Sequence, residues 1–239
     1  MLPLRDANVT ARRPIVTPGL VGVIAAVLGY ELILEVGGGA AGLEEFFATF
    51  GVTPADVTAA ASSGSLLGPV GLTLLTYQFL HAGFLHAAGN LLFLWIFGNN
   101  VEDRLGRLGF LVFYLWAGVL AALTQVLIDP RSEIPLVGAS GAISGVLGAY
   151  LVMFPGARIT SLVFLVFFFQ IVSVPAVVLL SFWFVLQIVD GLTALGAPPD
   201  VTGGIAFFAH IGGFLAGVVV GLAIRTVERT VGRGKARVG

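Results

Sequence analysis

The sequence predicts an all-α polytopic membrane protein, a bundle of six spanning helices with a long external loop between the first and the second. Three observations carry this: a composition too apolar for a water-soluble surface, six runs of roughly bilayer length, and the confinement of nearly all arginine and lysine to one side. Of 239 residues, 57% are hydrophobic and 10% charged, and mean hydropathy is +1.02. A water-soluble globule of this size needs more polar surface than that.

A helix crosses the hydrocarbon with roughly 20 mainly apolar residues, or fewer where neighbours shelter it. The candidate spans run from Pro14 to Val36, Phe84 to Val101, Leu108 to Leu127, Ala139 to Phe154, Pro175 to Gly191 and Gly204 to Thr226. The stretch from Ile159 to Val174 is also apolar, but it is short and runs into Pro175, a residue that opens or closes helices. It reads as a loop or a partly immersed segment. Six spans place both termini inside, and eleven of the twelve basic residues then fall in inside segments, with Arg131 alone outside. That is the bias expected of cytoplasmic loops. Gly37 to Leu80 holds Glu44, Glu45 and Asp56 but no basic residue, as an external loop should, and Leu43 to Ala60 reads as a short amphipathic helix lying on the membrane.

Residues 1–239 read as one domain, with a short cytoplasmic segment 1–13 and a basic tail 225–239, since no repeat or linker divides them. No small-residue cleavage site follows the first apolar run at a suitable distance, and a bacterial or archaeal plasma membrane is the simplest address. Basic residues are scattered or terminal, which excludes a nucleic-acid face. With no cysteine there is no thiol nucleophile, thiolate metal site or disulfide. Lipid is a necessary partner; nothing in the chain fixes an oligomeric state.

Ionisable groups inside spans cost about 2.5–3.5 kcal/mol at mid-helix, so the three histidines ask for a reason. His86 and Asn90 are four residues apart and share a face of the second span. The fourth span opens with Gly138-Ala-Ser140-Gly141, and its small residues suit close helix packing. Ser140 could be a simple N-cap, yet at a helix mouth its backbone N–H has no intrahelical acceptor and can hold a developing oxyanion. In the sixth span, His210 shares the face of Gly213 and Gly217, so a glycine-to-glycine contact would bring His210 to Ser140 as nucleophile and general base. Singly, each of these residues is as readily a hydrogen-bonded structural group. A serine–lysine dyad is excluded because the one lysine is Lys235 in the tail. A zinc site is disfavoured because His81 and His86 diverge by about 140° on a helix and share their segment with no acidic residue. No cofactor or metal is called for.

His81-Ala-Gly-Phe-Leu-His86-Ala-Ala-Gly-Asn90, Gly98-Asn-Asn-Val-Glu102-Asp-Arg104-Leu-Gly106, Gly138-Ala-Ser140-Gly141 and Ala209-His210-Ile-Gly-Gly213, in that order, resemble the rhomboid intramembrane proteases over about residues 70–222. The resemblance implies a six-helix rhomboid-like bundle with a water-filled site open to the outside, acting on transmembrane protein substrates. It implies Ser140 as nucleophile, His210 as general base, and His86 and Asn90 as partners of the Ser140 N–H toward the oxyanion. It further implies a structural role for His81 and for the turn bearing Glu102 and Arg104, with Gly138, Gly141 and Gly213 structural beside the site. The fifth span, with Phe182, Trp183 and Phe184, matches a mobile side gate. Two departures stand out: Leu72-Thr73 replaces the Trp-Arg pair of many relatives, and Ser144 replaces an aromatic that stacks on the histidine in some. Orientation of His210 must then come from packing or from another group. Two rivals are a non-catalytic rhomboid-like protein that binds transmembrane helices, against which retention of Ser140 and His210 argues, and a transporter or proton relay, which has no need of Ser140 between glycines.

Overall fold

A computed structural model describes residues 1–165, 168–195 and 206–236, with side chains omitted for 165, 229 and 231–236. The chain runs β1 (Leu2–Asp6), α1 (Val16–Phe50), α2 (Pro54–Ser63), α3 (Pro69–Thr76), a 3-10 turn (Tyr77–Phe79), α4 (Phe84–Leu105), α5 (Arg107–Ile128), α6 (Ser140–Met153), β2 (Arg158–Leu165), β3 (Phe168–Pro175), α7 (Ala176–Ala194) and α8 (Phe207–Ala236). The six expected spans correspond to α1, α4, α5, α6, α7 and α8. The predicted start of the last span, at Gly204, lies outside the described residues. Four helices, α1, α5, α7 and α8, are by themselves long and apolar enough to cross a bilayer.

The other two have physical reasons for falling short of that standard. α4 carries His86, Asn90, Asn99 and Asn100, and it is joined to the segment Pro69–Phe79 through an 81° bend. α6 has only 14 residues, about 21 Å at 1.5 Å per residue. It can be short because Gly141–Tyr150 is buried without interruption, so neighbouring helices rather than lipid surround it. Its end is held at the arginine-rich side of the bundle, where the Arg104 guanidinium lies 5.1 Å from the Phe154 ring centroid and pairs with Glu228. α6 as a whole is shorter than the roughly 30 Å thickness of a hydrocarbon core.

Glycine makes the central contact. A Cβ on Gly213 would stand 2.0 Å from Gly141 O, one on Gly217 1.9 Å from Gly145 O, and one on Gly148 2.0 Å from Phe214 O. Only hydrogen fits between these backbones, so α6 and α8 lie in the closest helix contact of the fold.

The structure differs from the sequence expectations at four points. The apolar stretch from Ile159 to Val174 is not an irregular loop but lies in the antiparallel pair β2–β3, matched from Arg158↔Pro175 to Leu165↔Phe168. Its other neighbour is β1, antiparallel from Leu2↔Leu162 to Asp6↔Ile159, so part of the expected N-terminal tail is a strand and the bundle carries a three-stranded sheet in the order β1-β2-β3. The single surface helix expected over Leu43–Ala60 is divided. α1 continues past a break at Gly39 (φ 65°) to Phe50, Gly51 is extended, and α2 begins at Pro54. The division is fixed by a bridge in which Val52 N–H donates to Leu136 O (3.1 Å) and Leu136 N–H donates to Val52 O (2.8 Å). The C-terminal tail expected from residue 225 continues α8 as helix to Ala236.

Two carboxylates fasten the N-terminal segment. Glu102 accepts hydrogen bonds from the backbone N–H of Ile15 (2.7 Å), Val16 (2.9 Å) and Thr17 (2.8 Å) and from the Thr17 hydroxyl (2.8 Å). It thereby caps α1 at the positive end of its dipole. Glu102→Ala orphans four donors at a buried site and is expected to cost about 3 kcal/mol, measured as a lower melting temperature in detergent. Asp6 accepts from Tyr150 Oη (2.8 Å) and Asn100 Nδ2 (2.5 Å), tying β1 to α6 and α4. Burial pushes the Asp6 carboxyl above its usual range, outweighing the Tyr150 hydrogen bond and the Arg5 charge that pull it down. The folded state thus favours the protonated form. Its stabilising contribution is complete below the ordinary carboxylate range and is lost as pH rises through the raised value. Thermal melts in detergent over that interval should show the slope in the wild type and lose it in Asp6→Asn.

Candidate active site

The mouth of α6 is built by segments distant in sequence. The segment leading to Ser140 is held on one side by the Val52–Leu136 bridge and on the other by Gly138 N–H, which donates to Tyr77 O at 2.9 Å. Gly138 has φ +136°, a conformation side chains rarely adopt, and a Cβ there would meet the His86 ring at 2.9 Å. That glycine both turns the chain into α6 and leaves room for His86. Tyr77 is itself pinned, since its hydroxyl donates to Gly118 O at 2.7 Å.

Ser140 is the first residue of α6, with Ala139 before it at the cap and no side-chain cap hydrogen bond. The N-cap alternative for Ser140 therefore lapses. Its Oγ lies 2.8 Å from Nε2 of His210 on α8. The other ring nitrogen, Nδ1, lies 2.7 Å from Oε1 of Gln187 on α7. The Trp183 ring, one turn earlier on α7, stands 6.1 Å from the His210 ring at a tilt of 36°. Ser144, at the position where an aromatic was missing, turns away: its hydroxyl donates to Ser140 O at 2.6 Å.

His86 lies beside Gly138, whose built Cβ would be 3.5 Å from Ser140 Oγ. Asn90, one turn along the same helix, is buried, and its Nδ2 has no hydrogen-bond partner among the described residues. His81 is buried edge-on to His86 at 5.2 Å between ring centroids, its N–H donating to the Glu31 carboxylate at 2.9 Å. Gly141 and Gly213 face one another in the α6–α8 contact.

The residues singled out from sequence are thus gathered at one end of α4, α6 and α8. A hydroxyl within hydrogen-bonding distance of an imidazole, at a helix mouth whose first backbone N–H groups have no intrahelical acceptor, can support proton transfer and nucleophilic attack on a carbonyl. Gln187 and Trp183 were not singled out as partners of His210. Their spacing of four residues, which puts a polar amide and an aromatic on one face of an apolar helix, was the available signal.

The Rhomboid domain family model matches residues 70–227. The Rhomboid protease GluP of Bacillus subtilis is 32% identical over 190 residues, covering 80% of this chain and 32% of that protein. Rhomboid protein 1, mitochondrial, of Saccharomyces cerevisiae is 29% identical over 163 residues, covering 66% and 43%. Rhomboid-like protein 11, chloroplastic, of Arabidopsis thaliana is 43% identical over 77 residues, covering 32% and 27%. The chain spans less than half the length of these curated relatives. With the matched region reaching from α3 into α8 and several helices apolar enough to cross a bilayer, this integral membrane protein belongs to the rhomboid family.

Proposed function

We propose that the chain is an intramembrane serine endopeptidase that hydrolyses a peptide bond in or near a transmembrane helix of another membrane protein. The observation that carries this reading is the 2.8 Å approach of Ser140 Oγ to His210 Nε2 across two helices that touch through glycine. Ser140 Oγ attacks the scissile carbonyl carbon as His210 Nε2 takes the hydroxyl proton. The oxyanion that forms is received by the Ser140 backbone N–H, the His86 ring and the unpartnered Asn90 Nδ2. His210 then gives its proton to the departing amine, leaving an acyl-serine. Water, deprotonated by His210, hydrolyses that ester and regenerates the pair. No metal or cofactor enters any step.

The distribution of basic residues supports an orientation with both termini on the cytoplasmic side and Ser140 opening outward. A scissile bond within a helix is hidden by its own hydrogen bonds, so substrates with Gly, Pro or polar residues near the cut are favoured. The test is to reconstitute the protein in liposomes with a single-span model substrate and to treat a parallel sample with a fluorophosphonate. Cleavage together with labelling at Ser140 is expected. An intact substrate and an unlabelled Ser140 in well-folded protein would favour a helix-binding, non-proteolytic role.

A further inference from the structure

We propose that Gln187 is the positioning residue for His210, holding its imidazole in the tautomer and orientation that activate Ser140; this rests on the proteolytic reading of the Ser140–His210 pair. An imidazole can accept the Ser140 proton at Nε2 only if its own proton is on Nδ1, and that proton needs an acceptor. Gln187 Oε1, 2.7 Å from Nδ1, is such an acceptor. With it in place, Nε2 presents a lone pair to Oγ at 2.8 Å. Were the ring unheld at Nδ1, it could take the opposite tautomer or rotate, and either change removes the base.

The surroundings make the assignment specific. Gln187 is 9% exposed and interrupts the apolar run from Phe182 to Val189 of α7, where a polar amide is costly unless hydrogen-bonded. Trp183, on the same face of α7, walls the imidazole from the side. This places on α7 the aromatic support that Ser144 of α6 does not offer. α7 itself is peripheral: Val178, Phe182, Val185 and Val189 are exposed on its outer side. Its seat on α8 is made by the Phe184–Phe214 stack, at 4.3 Å between centroids, and by Gly191 against Phe207. His210 is therefore competent only while α7 is seated.

A purely structural amide would produce different results from a positioning one, and two near-isosteric variants separate them. Gln187→Met keeps the volume and suits the apolar site but has no acceptor for Nδ1–H. Gln187→Glu keeps the acceptor and adds a charge that burial disfavours. If Gln187 positions His210, Gln187→Met melts within about 2 °C of wild type while kcat falls roughly 10- to 100-fold with little change in KM, less than the roughly 10²- to 10⁴-fold that a general base itself contributes. Gln187→Glu then turns over faster than Gln187→Met although it melts lower. The stability order and the rate order are thus opposite. Fluorophosphonate labelling of Ser140 should slow in parallel with kcat.

A Gln187→Met protein that cleaves at the wild-type rate, or whose loss of rate merely tracks its melting temperature, overturns the inference. The two failures are distinguishable. If wild type cleaves and labels but Gln187→Met is unimpaired, only the role of Gln187 falls. If folded wild type neither cleaves nor labels at Ser140, the proteolytic reading falls and this inference with it.

Discussion

Cleavage of a reconstituted single-span substrate is expected to drop to background in Ser140→Ala and by about 10³-fold or more in His210→Ala. The first variant removes the atom that forms the acyl bond. The second leaves a hydroxyl that must lose its proton unaided at neutral pH. Neither should unfold the protein. Ser140 makes no cap hydrogen bond and its backbone remains the start of α6, while His210 loses two side-chain hydrogen bonds at a half-buried position, a loss worth about 1–3 kcal/mol. Effects of residues that act as a unit are not additive, so the double variant should be no slower than Ser140→Ala. A Ser140→Ala protein that cleaves at the wild-type rate removes the nucleophile from the scheme.

The second large effect concerns no reactive group. Gly217→Ala would place a methyl 1.9 Å from Gly145 O and 2.9 Å from Ala149 N. Both obstacles are backbone, so no side chain can swing aside. α6 and α8 must move apart by more than 1 Å, and overpacking of this kind costs about 3 kcal/mol or more. Ser140 and His210 stand on these two helices, so the 2.8 Å contact opens with them. The expected result is a melting temperature lowered by several degrees and cleavage reduced by at least tenfold even where the protein remains folded. Gly29→Ala on α1 is the control. Nothing lies within 4 Å of its added Cβ, and alanine is favoured over glycine by about 1 kcal/mol inside a helix. Should Gly217→Ala melt and cleave like Gly29→Ala, the close contact does not set the geometry of the pair.

Much of this was legible in the chain because it follows from local spacing. Glycines at 213 and 217, with small residues at 141, 145 and 148, mark smooth faces whatever else surrounds them, and polar residues inside apolar runs mark where a bundle interior must be. Ser140 and His210 could be paired on those grounds alone. The sheet could not be read in this way. Residues 159–174 are apolar on both sides of the strand register and show no alternation, so they resemble a failed span. Their partner, residues 2–6, is more than 150 positions away. The break between α1 and α2 was hidden for a related reason, since Gly51 is extended where Val52 bridges to Leu136, a residue remote in sequence on the approach to Ser140. Gln187 escaped because glutamine on an apolar helix forms no motif. Only the position of α7 against α8 shows which ring it serves.

The pairing of β1 with β2 also bears on the order in which the molecule is made. Leu2 is made long before its partner Leu162, which follows only after α1 to α6 have been synthesised. Asp6 likewise has no Tyr150 to meet until α6 is made, and the α1 terminus has no Glu102 to cap it until α4 is made. The leading segment therefore waits, unpaired, through the insertion of four spanning helices, and its capture closes a loop of more than 150 residues. Sheet closure is a late event in biogenesis, and a bulky fusion ahead of Leu2 would burden that step while leaving the insertion of the earlier helices untouched.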